Sequence, residues 1–240
     1  MRRIGLIGGM SWESTAEYYR LLNTMVAERL GGLHSADLLL ASVDFAVVEQ
    51  MQAQGRWDDA AALLVREARV LQAGGADFLV LCTNTMHKVA DRVQAAVGID
   101  LLHLADATAA VVTGAGVRRV GLLGTRFTME QDFYLDRLRG HGLDVVVPGA
   151  DDRRLVDTVI YDELCRGVVR EQSRREYERV VAALVDDGCE AVVLGCTEIE
   201  LLLDPSTRPA GARLFATTRL HCEAAVDRAL APGDRPVITR

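Results

Sequence analysis

Two cysteines sit where α/β proteins usually carry out chemistry. Asp77-Phe78-Leu79-Val80-Leu81 is an acidic residue followed by an apolar run, and it stops abruptly at Cys82-Thr83-Asn84-Thr85. Much later, Ala191-Val192-Val193-Leu194-Gly195 runs into Cys196-Thr197-Glu198. Both read as a buried strand delivering a thiol at its carboxyl end, the end where open α/β sheets hold their ligands. A thiol with a pKa of about 8.5 is only slightly ionised at neutral pH. A helix starting just after it would lower that value, and Thr83 and Thr197 are next in line to donate hydrogen bonds. Each cysteine would then cycle between thiol and thiolate, as a general acid/base must. Two such groups on opposite faces of one carbon invert it, one removing a proton and the other supplying one from behind. The chemistry implied is racemisation or epimerisation alpha to a carboxylate.

The carbanion formed on the way needs stabilising. Pyridoxal phosphate, held as a lysine Schiff base, is the usual device. The only lysine is Lys88, close behind Cys82, with Val89 and Val93 on the same expected helix and no phosphate-cradling Gly/Ser loop beside it. A reaction without a cofactor fits better. The substrate carboxylate would lie among backbone amides and the polar groups of Thr83, Asn84, Thr85, Thr125 and Thr197, which are preorganised donors for developing charge. Glu198 would accept hydrogen bonds from the substrate ammonium, and Met10 would touch the substrate. Gly5-x-x-Gly8-Gly9 is not a dinucleotide fingerprint and reads as a tight turn beside the site. Cys165, Cys189 and Cys222 read as packing residues. His87 reads as facing solvent or a carboxylate, and His34, His103, His141 and His221 show no metal-binding pattern.

Composition narrows the classes further. The 240 residues carry a net charge of −7, and no dense basic patch interleaves with aromatics, so a nucleic-acid partner is not expected. Five cysteines without a Cys-x-x-Cys pair suit neither a disulfide framework nor a zinc site and point to a reducing compartment, the cytoplasm. Met1-Arg2-Arg3 opens faintly like a signal peptide, but the apolar stretch ends too early at Gly9-Met10-Ser11. No apolar run reaches membrane-spanning length, so no membrane partner is expected.

The elements that must position these residues alternate strand and helix. Strands are expected at 3–7, 37–43, 77–81 and 101–104, then at 119–125, 143–147, 190–194 and 213–215. A capping-box pattern at Ser14-Thr15-Ala16-Glu17 starts a first helix that runs to about Leu30. Asp44–Gly55 reads as irregular and as a cover for the site. Later helices are expected from Asp58 to Gly74-Gly75, from Asn84 or Thr85 to about Val97, and over 105–115. Others are expected over 129–141, 154–166, 171–187 and 218–230, with the tail beyond Pro232 loose. Arg119-Val120-Gly121-Leu122-Leu123-Gly124 echoes Arg3-Ile4-Gly5-Leu6-Ile7-Gly8, and the two cysteine-ended strands echo one another. Both echoes recur at roughly 115 residues, a domain-sized offset that argues for internal duplication. The expectation is two pseudo-symmetric Rossmann-like α/β domains with parallel sheets and the active site in the cleft between them. Residues 1–104 would form the first domain, with 208–240 packing back on it, and 105–207 the second.

Three stretches together resemble the aspartate/glutamate racemase family, most closely its broad-specificity amino-acid racemase branch. They are Gly5-Leu6-Ile7-Gly8-Gly9-Met10-Ser11-Trp12-Glu13-Ser14-Thr15, Cys82-Thr83-Asn84-Thr85-Met86-His87-Lys88 and Gly195-Cys196-Thr197-Glu198-Ile199. Leu123-Gly124-Thr125-Arg126-Phe127-Thr128-Met129-Glu130 looks like that branch too, and the resemblance extends to about Leu203. It implies an isomerase without a cofactor, a thiol/thiolate pair of Cys82 and Cys196, a small amino-acid substrate and a homodimer. By that similarity Cys82 serves the D-enantiomer and Cys196 the L-enantiomer. One departure bears on the substrate. Members that prefer aspartate hold its side chain with basic groups, whereas here Asp44-Phe45-Ala46-Val47-Val48 carries none and Cys165 stands where a lysine is sought. A neutral or hydroxylated amino acid suits this sequence as well as an acidic one.

Two other readings are open at this point. The same fold could isomerise or decarboxylate a small diacid with a single cysteine, or it could bind an amino acid without turning it over. Deuterium uptake at Cα separates turnover from binding, and the number of essential cysteines separates the two kinds of enzyme.

Overall fold

The computed structural model describes residues 1–232, so the tail expected beyond Pro232 lies outside the described residues. The chain divides into two units. Unit 1 holds Met1–Cys82, Val89–His103 and the segment from His221, and unit 2 holds Thr83–Lys88 and Leu104–Leu220.

Unit 1 is built on a parallel sheet of β1 (Ile4–Gly8), β2 (Leu38–Ser42), β3 (Phe78–Leu81) and β4 (Asp100–Leu102), in the order β2-β1-β3-β4. Unit 2 repeats the plan with β5 (Arg119–Gly124), β6 (Asp144–Val146), β7 (Ala191–Gly195) and β8 (Arg213–Ala216), in the order β6-β5-β7-β8. Every pairing in both sheets is parallel. The duplication read from the two echoes is therefore a duplication of topology. The central strands are apolar throughout because helices cover both of their faces.

The helices of unit 1 are α1 (Trp12–Leu30), α2 (Phe45–Ala53), α3 (Trp57–Ala73) and α4 (Ala90–Ala95). Those of unit 2 are α5 (Leu104–Gly114), α6 (Arg126–Glu130), α7 (Asp132–Gly140), α8 (Ala150–Asp162) and α9 (Glu171–Asp186); α10 (Thr217–Leu230) follows β8. In unit 1, Tyr18, Leu22, Met25 and Val26 of α1 share one core with Ile4, Leu6, Phe78 and Val80 of the strands and with Cys222, Ala225, Val226 and Ala229 of α10. In unit 2 the two faces of the sheet split cleanly. Val120, Leu122, Ala191 and Val193 meet α5 and α7, while Leu123, Val192 and Leu194 meet α8 and α9.

Several boundaries depart from the sequence expectations, each for a local reason. Helix α1 begins at Trp12, because the Ser11 side chain accepts from the Ser14 backbone N–H at 3.3 Å and caps the helix three residues before the capping-box site. Asp44–Gly55 is not irregular: Asp44 accepts from Ala46 N at 3.0 Å and starts α2. The helix expected after Asn84 opens as a tight 3-10 turn, Thr85–Val89, before α4. The helix expected over 129–141 is two, α6 and α7, broken at an extended Gln131. Residues 208–240 do not travel together, because β8 pairs with β7 and only the segment from His221 counts with unit 1.

Candidate active site

In a sheet ordered 2-1-3-4 the crossovers leave the first strand in opposite directions, and the crevice opens between the carboxyl ends of the first and third strands. In unit 1 those ends are Gly8 and Leu81, and in unit 2 they are Gly124 and Gly195. Both candidate cysteines lie one residue beyond such an end. Glycine is required at the turn after β1: Gly9 has φ +90°, and a Cβ there would come 2.1 Å from the Val43 carbonyl oxygen.

Within unit 1, the Cys82 N–H donates to Ile7 O at 2.9 Å and so continues the ladder. Its side chain is fully buried in the α1/α10 core, together with Val80, Tyr18 and Cys222. Burial raises the thiol well above its ordinary pKa, opposite to the lowering expected from a helix start. Met10 is buried too. Close by in sequence to Cys222, His221 accepts the Tyr18 hydroxyl hydrogen on Nδ1 at 2.9 Å and donates from Nε2 to Leu102 O at 2.8 Å. That tautomer is neutral, and burial lowers the His221 pKa to about 4. Unit 1 also has an open cavity of about 580 Å³ at the carboxyl end of β2, lined by Ser42, Val43, Asp44, Met51, Arg66 and Glu67 among others. Arg66 was not singled out from sequence. It sits on α3, outside the loop where a basic group was sought, and pairs with Glu67 at 2.8 Å.

Within unit 2, the polar residues expected at the site form a network. The hydroxyls of Thr85 and Thr125 pair at 3.0 Å, and that of Thr125 pairs with that of Thr128 at 3.2 Å. Asn84 Nδ2 donates to Thr217 Oγ1 at 3.2 Å, Thr217 donates to Leu194 O at 2.8 Å, and Tyr134 donates to Asn84 Oδ1 at 3.1 Å. These bonds fix the orientation of the Asn84 amide. The Thr197 and Thr218 hydroxyls pair at 2.9 Å, so Thr197 is engaged with a hydroxyl of α10. Cys196 is only 8% exposed, and its Sγ donates to Glu198 Oε2 at 2.9 Å. Burial raises the Cys196 thiol far above its usual pKa, and the Glu198 charge adds to the rise. Thiol, rather than thiolate, is therefore the resting form, held by its hydrogen bond to the carboxylate beside it.

His87 is also part of this region, although sequence reasoning turned it toward solvent. It is buried; Leu104 N donates to Nε2 at 3.2 Å, which leaves Nδ1 to donate to Thr83 O at 2.7 Å. The imidazole thus ties the backbone of Thr83 to the start of α5. Tyr134, Thr217 and Thr218 were likewise missed; a tyrosine or threonine on a helix carries no local signal that its hydroxyl points to a strand end.

The two cysteines are not structural counterparts. Ile4 pairs with Phe78 in the first sheet, and its echo Val120 pairs with Ala191 in the second. Counted from Phe78 and Ala191, the fourth residue on is Cys82 in one strand and Gly195 in the other. The fifth is Thr83 in one and Cys196 in the other. The cores agree with this count. Cys82 shares the face of Phe78 and Val80, whereas Cys196 shares the face of Val192 and Leu194. Side chains alternate along a strand, so a slip of one residue moves a group to the opposite face.

A duplicated parallel sheet in this order, with small polar groups and a thiol at the strand ends, is the build of an α/β racemase. A family model described as Asp/Glu/hydantoin racemase matches residues 7–225, and the chain belongs to that family. It is 51% identical to a Yersinia pestis protein solved as a candidate Asp/Glu racemase, over 96% of this chain and 100% of that one, with a TM-score of 0.90. An aspartate racemase homologue from Pyrococcus horikoshii OT3 is 31% identical over 95% of this chain and 99% of its own, with a TM-score of 0.84. The broad-specificity amino-acid racemase RacX of Bacillus subtilis (strain 168) is 28% identical over 89 residues, which is 37% of this chain and 39% of that protein. Among the described residues, no helix is long and apolar enough to cross a membrane.

Proposed function

We propose that the protein is a cofactor-independent amino-acid racemase that inverts Cα by transferring protons on its two faces. Cys196 serves one face and Cys82, at the carboxyl end of β3, serves the other. The observation that carries this reading is the Cys196–Glu198 pair, in which a buried thiol already donates to a carboxylate at 2.9 Å. In the thiol form Cys196 can give a proton to Cα, and in the thiolate form it can take one. The electron pair left on carbon spreads into the substrate carboxylate, which the polar groups of Asn84, Thr85 and Thr125 would receive. Met10 and Thr197 would border the substrate.

Neutral, hydroxylated and acidic amino acids are all candidate substrates. Cys165 packs against the same core as Cys196 and brings no positive charge there. The reading extends to a homodimeric cytoplasmic enzyme, consistent with five free thiols and checked by light scattering on the purified protein.

The test is a panel of single enantiomers of alanine, serine, aspartate and glutamate in heavy water. Deuterium at Cα together with falling optical rotation is the expected result for at least one of them. A protein that binds one of these and leaves every Cα proton in place is not a racemase of the panel.

A further inference from the structure

The geometry points to His87 as a positioning residue for the reaction: it holds the main chain around Asn84 so that the Asn84 N–H meets the substrate carboxylate. This inference rests on the racemase reading above and deepens it. His87 is buried, and it engages both of the peptide groups that flank Asn84. Its ring Nδ1 donates to Thr83 O at 2.7 Å, and its own main-chain N–H donates to Asn84 O at 3.1 Å. Leu104 N donates to the other ring nitrogen, Nε2, at 3.2 Å and so anchors the ring to the start of α5. All of these residues belong to unit 2.

What the clamp aims follows from peptide geometry. The Thr83–Asn84 bond is trans, since the only cis peptide bond among the described residues is Met10–Ser11. In a trans peptide the C=O and the N–H point in opposite directions. With the Thr83 C=O fixed on His87, the Asn84 N–H is held facing away from the imidazole. The other polar groups of Asn84 are engaged: its carbonyl accepts from His87 N, its Nδ2 donates to Thr217 and its Oδ1 accepts from Tyr134. The Asn84 N–H has no acceptor among the described residues, although Asn84 is only 5% exposed. A buried main-chain N–H without a protein partner is rare in folded proteins, and a fixed donor of this kind suits an incoming oxygen.

A fixed main-chain donor adds what a rotating hydroxyl cannot. As a base takes the Cα proton, the bonding electrons stay on carbon and spread onto the carboxylate oxygens, which gain charge. A donor aimed at one of those oxygens is worth more at that moment than in the bound ground state. Losing the aim should therefore lower kcat and leave KM nearly unchanged. In this role His87 touches neither the substrate nor the reacting carbon and exchanges no proton with either. It acts through the Asn84 peptide alone.

The experiment separates the two halves of the clamp with His87→Asn, His87→Gln and His87→Phe. An asparagine amide falls near the place of Nδ1 and can still donate to Thr83 O. A glutamine amide falls near the place of Nε2 and can still accept from Leu104 N. Phenylalanine keeps a ring and neither bond. Wild type and variants are followed in heavy water on the panel for kcat and KM separately, and each is melted under circular dichroism. The expected result is that kcat falls about 10- to 100-fold in His87→Gln and His87→Phe with KM within about 3-fold, while His87→Asn keeps kcat within about 3-fold of wild type. Melting temperatures should follow the other half of the clamp, dropping further in His87→Asn and His87→Phe than in His87→Gln. Should His87→Phe fail to fold, the contrast between asparagine and glutamine decides. A folded His87→Gln with wild-type kcat, or kcat losses that track the melting temperatures, would overturn the positioning role and leave the racemase reading intact. If wild type exchanges no Cα proton on any member of the panel, the racemase reading falls and the role of His87 falls with it.

Discussion

The ends of β3 and β7 are the two halves of a duplication, and they have diverged in opposite directions. At the end of β7 the cysteine turns to the α8/α9 side of its sheet and meets a carboxylate, Glu198, at 2.9 Å. At the end of β3 the cysteine turns to the α1/α10 side and packs with Val80, Tyr18 and Cys222. Both thiols are raised by burial, and at Cys196 the Glu198 charge raises the thiol further. The contrast teaches that residue type at a strand end does not define a site. Register selects the face of the sheet to which such a residue turns, and the neighbours on that face shift its pKa.

The comparison can be broken most sharply at Cys196. Cys196→Ala should lower Cα deuterium exchange by about 1,000-fold for both enantiomers, within the range for losing a general acid/base. Retention of more than a tenth of wild-type exchange would move the chemistry elsewhere. The buried polar pair behind the other strand end gives the next effect, on stability. Folded His221 has its pKa lowered to about 4 while the unfolded chain keeps an ordinary value near 6.5. Above pH 6.5 this costs nothing. As pH falls from 6.5 toward 4 the unfolded state binds a proton that the folded state refuses, so stability drops by about 3 kcal/mol over that window. Denaturant titrations at stepped pH should show this loss, and His221→Gln should flatten it.

Glu198→Gln tests the acceptor. Removing the charge that lifts Cys196 should move the thiolate titration, read by ultraviolet absorbance, to lower pH. It should also slow exchange by about 10- to 100-fold because an acceptor for the substrate ammonium is gone. An unmoved titration would mean that Glu198 does not govern this thiol. The smallest effect belongs to the hydroxyl pair beside it: Thr197→Val should cost about 1 kcal/mol in urea unfolding and leave the Cys196 titration in place.

Much of this molecule can be read from its residues. Apolar runs bounded by Gly and Asp located all eight strands of the described residues, and the two echoes announced the duplication, because buried parallel strands leave a continuous apolar signature. Thr85, Thr125, Asn84 and Glu198 were recognisable as small polar groups placed just after such runs. What could not be read was pairing. Cys-Thr follows both strands, so matching letters aligns cysteine with cysteine, whereas the ladder aligns Cys196 with Thr83. β3 has four residues before its cysteine and β7 has five, and only the partners across the sheet reveal which end carries the extra one. Helix α2 was missed even though Asp44 is a good N-cap, because the stretch after it shows little amphipathic periodicity. His87 was misread because a histidine clamped between two backbone groups looks no different in sequence from one in water.

The division of the chain has a consequence for its synthesis. The helix that completes the α1 core, through Cys222, Ala225, Val226 and Ala229, is the last of the described helices, and Arg2 N donates to Ala229 O at 2.9 Å. On the ribosome, the earliest strands must therefore wait, with one face uncovered, until the chain has been made as far as Ala229. Unit 2 draws its residues from positions 83 to 220, so the nascent chain should fold its second unit before its first. Neither half of the gene, cut at the midpoint, should yield a stable fragment of unit 1.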